Sequence, residues 1–218
     1  VDIHLFGLKK LGAKIKIKNG YIQAEAKKGL IGTKIKLPKI SVGATENLII
    51  AASLAKGKTI LSNCAIEPEI KDLVNFLISI GCNITWISKR SLKIIGVTKI
   101  KETTYSVMFD RIEAGTYLIA GAVTEGNLKI KNVVPKIIKT EINILKKIGT
   151  KIIIKKNYVQ VIGSKSENRI IKTFFKQFPE IENVFSNQQN INKKETYTNF
   201  FEKYQNYLLG NYKNDHLY

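Results

Sequence analysis

The residues best suited to chemistry lie between Pro38 and Ala52, in the run P-K-I-S-V-G-A-T-E-N-L-I-I-A-A. Lys39 offers a cation, Ser41 a hydroxyl, and Gly43 a backbone that a ligand can approach closely. Thr45, Glu46 and Asn47 include capping types, and the apolar run from Leu48 to Ala52 reads as the helix that follows them. A strand-to-helix junction of this kind turns unpaired backbone N–H groups outward, and the helix dipole adds partial positive charge. That combination suits an anionic or hydroxyl-rich ligand. The same spacing also suits a plain β-to-α turn that binds nothing.

Other chemistry is sparse. Cys64 and Cys82 have no second pair, which excludes a zinc ribbon, and His4 and His216 stand too far apart for a metal cluster. No metal site is expected, and reduced thiols point to a cytoplasmic setting. Lysine and arginine number 36 against 17 acidic residues, a formal net charge of +19. Such an excess is the usual footprint of a nucleic-acid binder. Here lysine supplies nearly all of it, and lysines alternate with isoleucine, as in Lys14-Ile15-Lys16-Ile17-Lys18. That is the wet face of half-buried strands, and it argues against a nucleic-acid partner.

The 218 residues hold no run of eighteen uninterrupted apolar residues, so no membrane-spanning helix is expected. The start, V-D-I-H-L, lacks the basic and apolar regions of a signal peptide. Residue 1 is valine and the only methionine is Met108, so the expectation is a chain that begins inside a longer protein.

The elements that would position the junction repeat along the chain. Leu11-Gly12, Ile80-Gly81 and Ile148-Gly149 are spaced 69 and 68 residues apart, and each is followed by a two-stranded hairpin pattern. Gly57 and Asn63 recur 69 residues later as Gly126 and Asn132. The unit is a β-α-β-α-β-β arrangement: a loop, a small-residue helix, a glycine turn, a strand, a second helix, a glycine stop and a hairpin. Pro68 and Glu69 open the second helix, and Ile70, Leu73, Val74, Leu77 and Ile80 form its core stripe; Ile138, Ile142, Leu145 and Ile148 do the same one unit on. The helix from Leu48 to Ala55, apolar nearly all round, is expected to be buried. From about Ser166 the repeat stops. Ser186 to Asn192 reads as disordered, and Phe200, Phe201, Tyr204, Tyr207 and Leu208 suit one amphipathic helix.

With these stretches in hand, the unit resembles that of the enolpyruvyl transferases. The resemblance rests on V-D-I-H at 1–4, K-I-S-V-G-A-T-E-N at 39–47, E-P-E-I at 67–70 with D-L-V-N-F-L after it, and D-R-I-E-A-G-T at 110–116. It covers about three quarters of the chain, to Gly163. The V-D-x-H and S-V-G-A-T pair points to the members that use a UDP-sugar rather than shikimate. The implied fold is α/β: two inside-out barrel domains of three units each, with helices inside and a substrate cleft between them.

On that resemblance, residues 1–108 are the C-terminal part of the first domain, 109–165 the first unit of the second, and 166–218 a divergent tail. The implied reaction moves the enolpyruvyl group of phosphoenolpyruvate to the 3′-hydroxyl of UDP-N-acetylglucosamine, without cofactor, in cytoplasmic peptidoglycan synthesis. Val1, Asp2 and Ile3 would line the uracil and ribose, and Lys39, Ile40, Ser41, Val42 and Gly43 would hold the diphosphate. Asp110, Arg111 and Glu113 would form a structural charged cluster at the crossing between domains.

Departures from the family pattern bear on activity. The family's cysteine-bearing lid falls ahead of Val1, and neither Cys64 nor Cys82 lies where it could replace that cysteine. The family's Phe-Pro-Thr-Asp stretch is matched weakly, by Phe178-Pro179-Glu180-Ile181. No catalytic residue is therefore assigned, and the chain is expected to be inactive alone, with the remainder of the enzyme as its possible partner. The alternative is a non-catalytic UDP-sugar-binding or interaction module. Residues 110–165 are expected to be poorly packed without partner chain.

Overall fold

A computed structural model describes residues 1–124 and 126–163. Phe178 to Ile181, Ser186 to Asn192 and the aromatic stretch near Phe200 lie outside the described residues. The chain divides into two compact units, Val1–Met108 and a second that begins at Phe109.

The first unit opens with α1 (Asp2–Lys10) and a hairpin of β1 (Lys14–Lys18) and β2 (Tyr21–Glu25). A full repeat follows: β3 (Lys34–Lys36), α2 (Val42–Ser53), β4 (Lys58–Ser62), α3 (Pro68–Ser79), β5 (Asn83–Ser88) and β6 (Ser91–Ile95). The second unit holds α4 (Arg111–Val123), β7 (Asn127–Lys131), α5 (Lys139–Lys147), β8 (Lys151–Lys155) and β9 (Tyr158–Ile162).

In the first unit β3-β4-β6-β5 form one sheet, with β3 parallel to β4 and the others antiparallel; in the second the order is β7-β9-β8. Among the described residues β1 and β2 pair only with each other. No sheet among the described residues closes on itself. Each helix that precedes a hairpin ends as its glycine foretells. Gly12, Gly81 and Gly149 take φ of +96°, +100° and +94°, the left-handed conformation that stops a helix without a Cβ clash. Asn19-Gly20, both at positive φ, make the tight turn between β1 and β2.

Two cores result. Leu37, Leu48, Ile49, Leu61, Ile70, Leu92 and Ile94 close the first; Leu118, Ile138, Ile142, Val159 and Val161 close the second. The α3 and α5 stripes are therefore core, with Ile70, Val74 and Leu77 matched by Ile138, Ile142 and Leu145. The second unit carries its own cluster of buried apolar side chains.

Three expectations need correction. The small-residue helix starts at Val42, not Leu48, so Gly43 lies in its first turn rather than in a loop. It is also not buried all round: Ile50 and Leu54 are exposed. Finally, the second repeat has no leading strand. Residues 101–110 carry no regular structure and turn back onto α3 instead. The Tyr105 hydroxyl donates to the Asp72 carboxylate at 2.9 Å, Met108 N–H donates to the same carboxylate at 3.2 Å, and the Tyr105 ring meets Phe76 edge-on. A strand needs a neighbour, whereas this segment satisfies its polar groups on a helix side chain.

The second core carries one buried acid. Glu141 packs against Gly115 at a position where α3 has Leu73, and its Oε2 has no hydrogen-bond partner among the described residues. Burial pushes its carboxyl above the usual range, an effect opposed in part by its own backbone N–H and by the charge of Arg111. A carboxyl raised in the folded state holds its proton there after the unfolded chain has lost it. Stability therefore falls as pH climbs above the ordinary value of 4.5. Glu141→Gln is expected to raise the melting temperature at pH 7, by the equivalent of about 1 kcal/mol, and to flatten the decline between pH 4 and 7. Thermal melts of both proteins across that range check it; a variant that melts lower at pH 7 would contradict the assignment.

Candidate functional site

The site grows from how α2 begins. Ser41 is extended at φ −147° and ψ 124°, and its Oγ accepts from the Ala44 N–H at 3.3 Å. A hydroxyl that accepts in this way keeps its own O–H free to donate. Thr45 N–H bonds the Ser41 carbonyl in the first helical turn. The Thr45 hydroxyl donates to the same carbonyl at 2.7 Å and accepts from the Ala65 N–H at 3.0 Å, which ties the helix start to the loop after β4. Val42 and Gly43 occupy the first two helical positions, where an N–H has no acceptor within the helix. Lys39 and Ile40 are exposed just before the cap. Cation, hydroxyl and two free N–H groups thus lie along five consecutive residues.

The start of α1 comes to the same place. His4 Nδ1 lies 3.1 Å from Asn47 Nδ2, and the His4 ring is 3.4 Å from where a Cβ on Gly43 would stand. One turn further, Gly7 sits directly over Leu48. Position 4 of α1 therefore meets 43 and 47 of α2, and position 7 meets 48. The start of α1, with Val1 as its N-cap, thus packs on the first turns of α2, whose N-cap is Ser41. Asp2 and Lys39 are exposed, Ile3, Ser41, Val42 and Gly43 half-buried. The contacts that achieve this, His4 with Asn47 and Gly7 with Leu48, were not visible as a pair in the sequence. The glycine within an amphipathic helix was the one available signal.

Burial, with the charge of Glu69 second, pushes the Glu46 carboxyl above its usual range. Asp110 caps α4, its Oδ1 accepting from the N–H groups of Ile112 at 2.7 Å and Glu113 at 3.1 Å. Both cysteines are buried, and burial pushes the Cys64 thiol up to about 11, so it is protonated and inert at neutral pH. Among the described residues no group of His, Cys, Asp and Glu could hold a metal ion, and no helix is long and apolar enough to cross a membrane.

This arrangement belongs to a known class. Residues 1–187 match the family model described as EPSP synthase (3-phosphoshikimate 1-carboxyvinyltransferase), and the chain belongs to that family of enolpyruvyl transferases. It is 70% identical over 174 residues to the UDP-N-acetylglucosamine 1-carboxyvinyltransferase of Pelagibacter ubique (strain HTCC1062), which covers 79% of this chain and 42% of the relative. The enzyme of the same name from Endomicrobium trichonymphae is 49% identical over 149 residues, 68% of this chain and 36% of the relative.

The chain thus spans less than half the length of these relatives. Among solved structures, the enolpyruvyl transferase NikO from Streptomyces tendae superposes with a TM-score of 0.65 at 17% identity, covering 75% of this chain and 42% of that one. EPSP synthase from Acinetobacter baumannii does so at 0.53 and 19% identity, covering 75% and 39%. These likenesses carry the fold: repeated units of the enolpyruvyl transferase architecture, incomplete here.

Proposed function

We propose that this chain carries the nucleotide-sugar half of a UDP-N-acetylglucosamine 1-carboxyvinyltransferase. One observation supports this reading above the others: the start of α1 packs on the start of α2, with His4 against Gly43 and Asn47 and Gly7 against Leu48. A UDP-sugar needs an apolar and hydrogen-bonding seat for uracil and ribose, and a cationic seat for two phosphates. The α1 end supplies the first. The α2 start supplies the second, through the Lys39 ammonium, the Ser41 O–H and the N–H groups of Val42 and Gly43.

The reaction in which such a half takes part is enolpyruvyl transfer from phosphoenolpyruvate to the sugar 3′-hydroxyl with release of phosphate, in cytoplasmic peptidoglycan synthesis. The residues of this chain bind and orient the acceptor; none is assigned the proton transfers, so the chain alone holds substrate without turning it over. The remainder of the enzyme is its partner in that reaction.

Titration of the purified chain with UDP-N-acetylglucosamine by calorimetry is expected to show binding that Lys39→Ala weakens at least tenfold. A charge-assisted phosphate contact is worth about 1.5–3 kcal/mol. Addition of phosphoenolpyruvate is expected to release no phosphate. Binding indifferent to Lys39→Ala would count against the diphosphate seat, and measurable turnover would show that this chain holds its own catalytic groups.

A further inference from the structure

Gly43 and Asn47 lie four residues apart in α2, so they share one face of the helix, and both meet His4. Neither is a strong helix former: glycine and asparagine both rank well below alanine. Asn47 does not cap α2, because Ser41 does. Its side chain goes to the His4 ring instead, with Nδ2 3.1 Å from Nδ1. Gly43 is not demanded by the backbone. It takes ordinary helical geometry, unlike Gly12, Gly81 and Gly149. A Cβ there would stand 3.4 Å from His4 Cε1 and 3.6 Å from His4 Nε2, ordinary contact distances, so alanine would fit the fold. Two positions that weaken the helix thus converge on one imidazole.

The contact places a proton. The nitrogen of a carboxamide donates and does not accept, so His4 Nδ1 is the acceptor and the proton of the neutral ring sits on Nε2. Cε1 and Nε2 are the ring atoms that Gly43 faces. The N–H edge of His4 therefore lies over the second helical position of α2, beside the Val42 and Gly43 N–H groups that have no acceptor within the helix. The opposite tautomer, with Nδ1–H donating to a turned Asn47 amide, would leave a bare Nε2 lone pair on that edge, which repels an anion.

We propose that Asn47 is a positioning residue: it holds His4 in the Nε2–H tautomer, so that this N–H is a further donor to the diphosphate of a nucleotide sugar at the start of α2. The missing Cβ of Gly43 leaves room for phosphate oxygens against the ring. The proposal rests on the UDP-sugar reading above. It adds direction to that seat, because the Lys39 ammonium is a point charge on a flexible stem, whereas a ring N–H points one way.

Long-range 1H–15N NMR of the full chain in alkaline buffer reads which ring nitrogen is protonated, with His4→Gln assigning the signal. The proton is expected on Nε2 in the free protein, and that signal is expected to move on addition of inorganic pyrophosphate. Asn47→Asp is expected to shift the proton to Nδ1, since a carboxylate only accepts. Calorimetry with UDP-N-acetylglucosamine gives the consequence. His4→Phe should bind about tenfold more weakly, the loss of one charge-assisted hydrogen bond. His4→Gln, whose amide N–H reaches toward the place of Nε2, should keep most of the affinity. Asn47→Asp should then cost less in the His4→Gln background, where only its charge acts. Gly43→Ala should melt higher, yet bind about tenfold more weakly because the methyl group holds phosphate off the ring. A proton on Nδ1 in the free protein, an equal loss from Asn47→Asp in both backgrounds, or His4→Phe without effect while Lys39→Ala weakens binding would overturn the proposal and leave the diphosphate seat standing. Binding indifferent to Lys39→Ala and His4→Phe alike would overturn both.

Discussion

Gly96→Ala is expected to unfold the first unit. A Cβ at this position would stand 1.6 Å from the Ala55 carbonyl oxygen and 2.7 Å from its carbon. Both are backbone atoms, so no side chain can swing aside. The crossing is also tied on either side: Gly96 N–H donates to the Gly57 carbonyl and Val97 N–H to the Ser53 carbonyl, each at 2.9 Å. To admit a methyl group, the end of β6 must lift off the end of α2, and both bonds must break. Overpacking alone costs about 1–3 kcal/mol, and the two bonds bring the loss above roughly 3 kcal/mol. A domain of this size has about 5–15 kcal/mol in total. Trp86, the only tryptophan, packs against this core and reports on this unit alone. Its fluorescence in a urea titration should show a large fall in midpoint, or no folded baseline. An unchanged midpoint would mean that the crossing is wider than described.

The second large effect is expected from Gly7→Ala, and it reaches the candidate site. The added methyl would fall 2.2 Å and 2.4 Å from the two terminal carbons of Leu48, which is itself buried in the first core. Leu48 is packed in the first core, so admitting the methyl group requires its side chain to repack or α1 to shift away from α2. The cost is about 1–3 kcal/mol of stability. Displacement also parts the two helix starts, so the affinity for UDP-N-acetylglucosamine should fall at least tenfold while Lys39 and Ser41 remain intact. Leu48→Ala removes the obstructing atoms. The double variant should therefore lose less than the two single losses added together, in stability and in affinity alike. Strict additivity would show that Gly7 and Leu48 do not meet. Stability lost without loss of affinity would separate the helix contact from binding.

Much of this fold could be read before any coordinates, and for a local reason. Gly12, Gly81 and Gly149 stop helices because a left-handed residue is needed at that point, and glycine adopts it without strain. The stripe of Ile70, Val74 and Leu77 is buried because apolar residues at helical spacing share one face. The start of α2 was less legible. Ser41, Thr45 and Asn47 are all capping types within seven residues, and the choice among them is not local. Thr45 is drawn inside by the Ala65 N–H from the loop after β4, and Ser41 is left as the cap. The family resemblance pointed to Val1–Ile3 and Lys39–Gly43, yet nothing in those residues says that His4 and Gly7 meet Gly43, Asn47 and Leu48.

Composition, periodicity and glycine placement determined, by themselves, the repeats, their helices and hairpins, and a strand-to-helix junction between Pro38 and Ala52 that carries Lys39 and Ser41. Each of those depends on neighbours within a few residues, so the chain need not be folded for them to be read. Only the tertiary structure decided that His4 reaches Asn47 across two helices, that Gly7 meets Leu48, and that residues 101–110 fold back on Asp72 rather than form a strand. Those outcomes turn on close packing and on competition for hydrogen-bond partners between segments tens of residues apart, which no local pattern encodes.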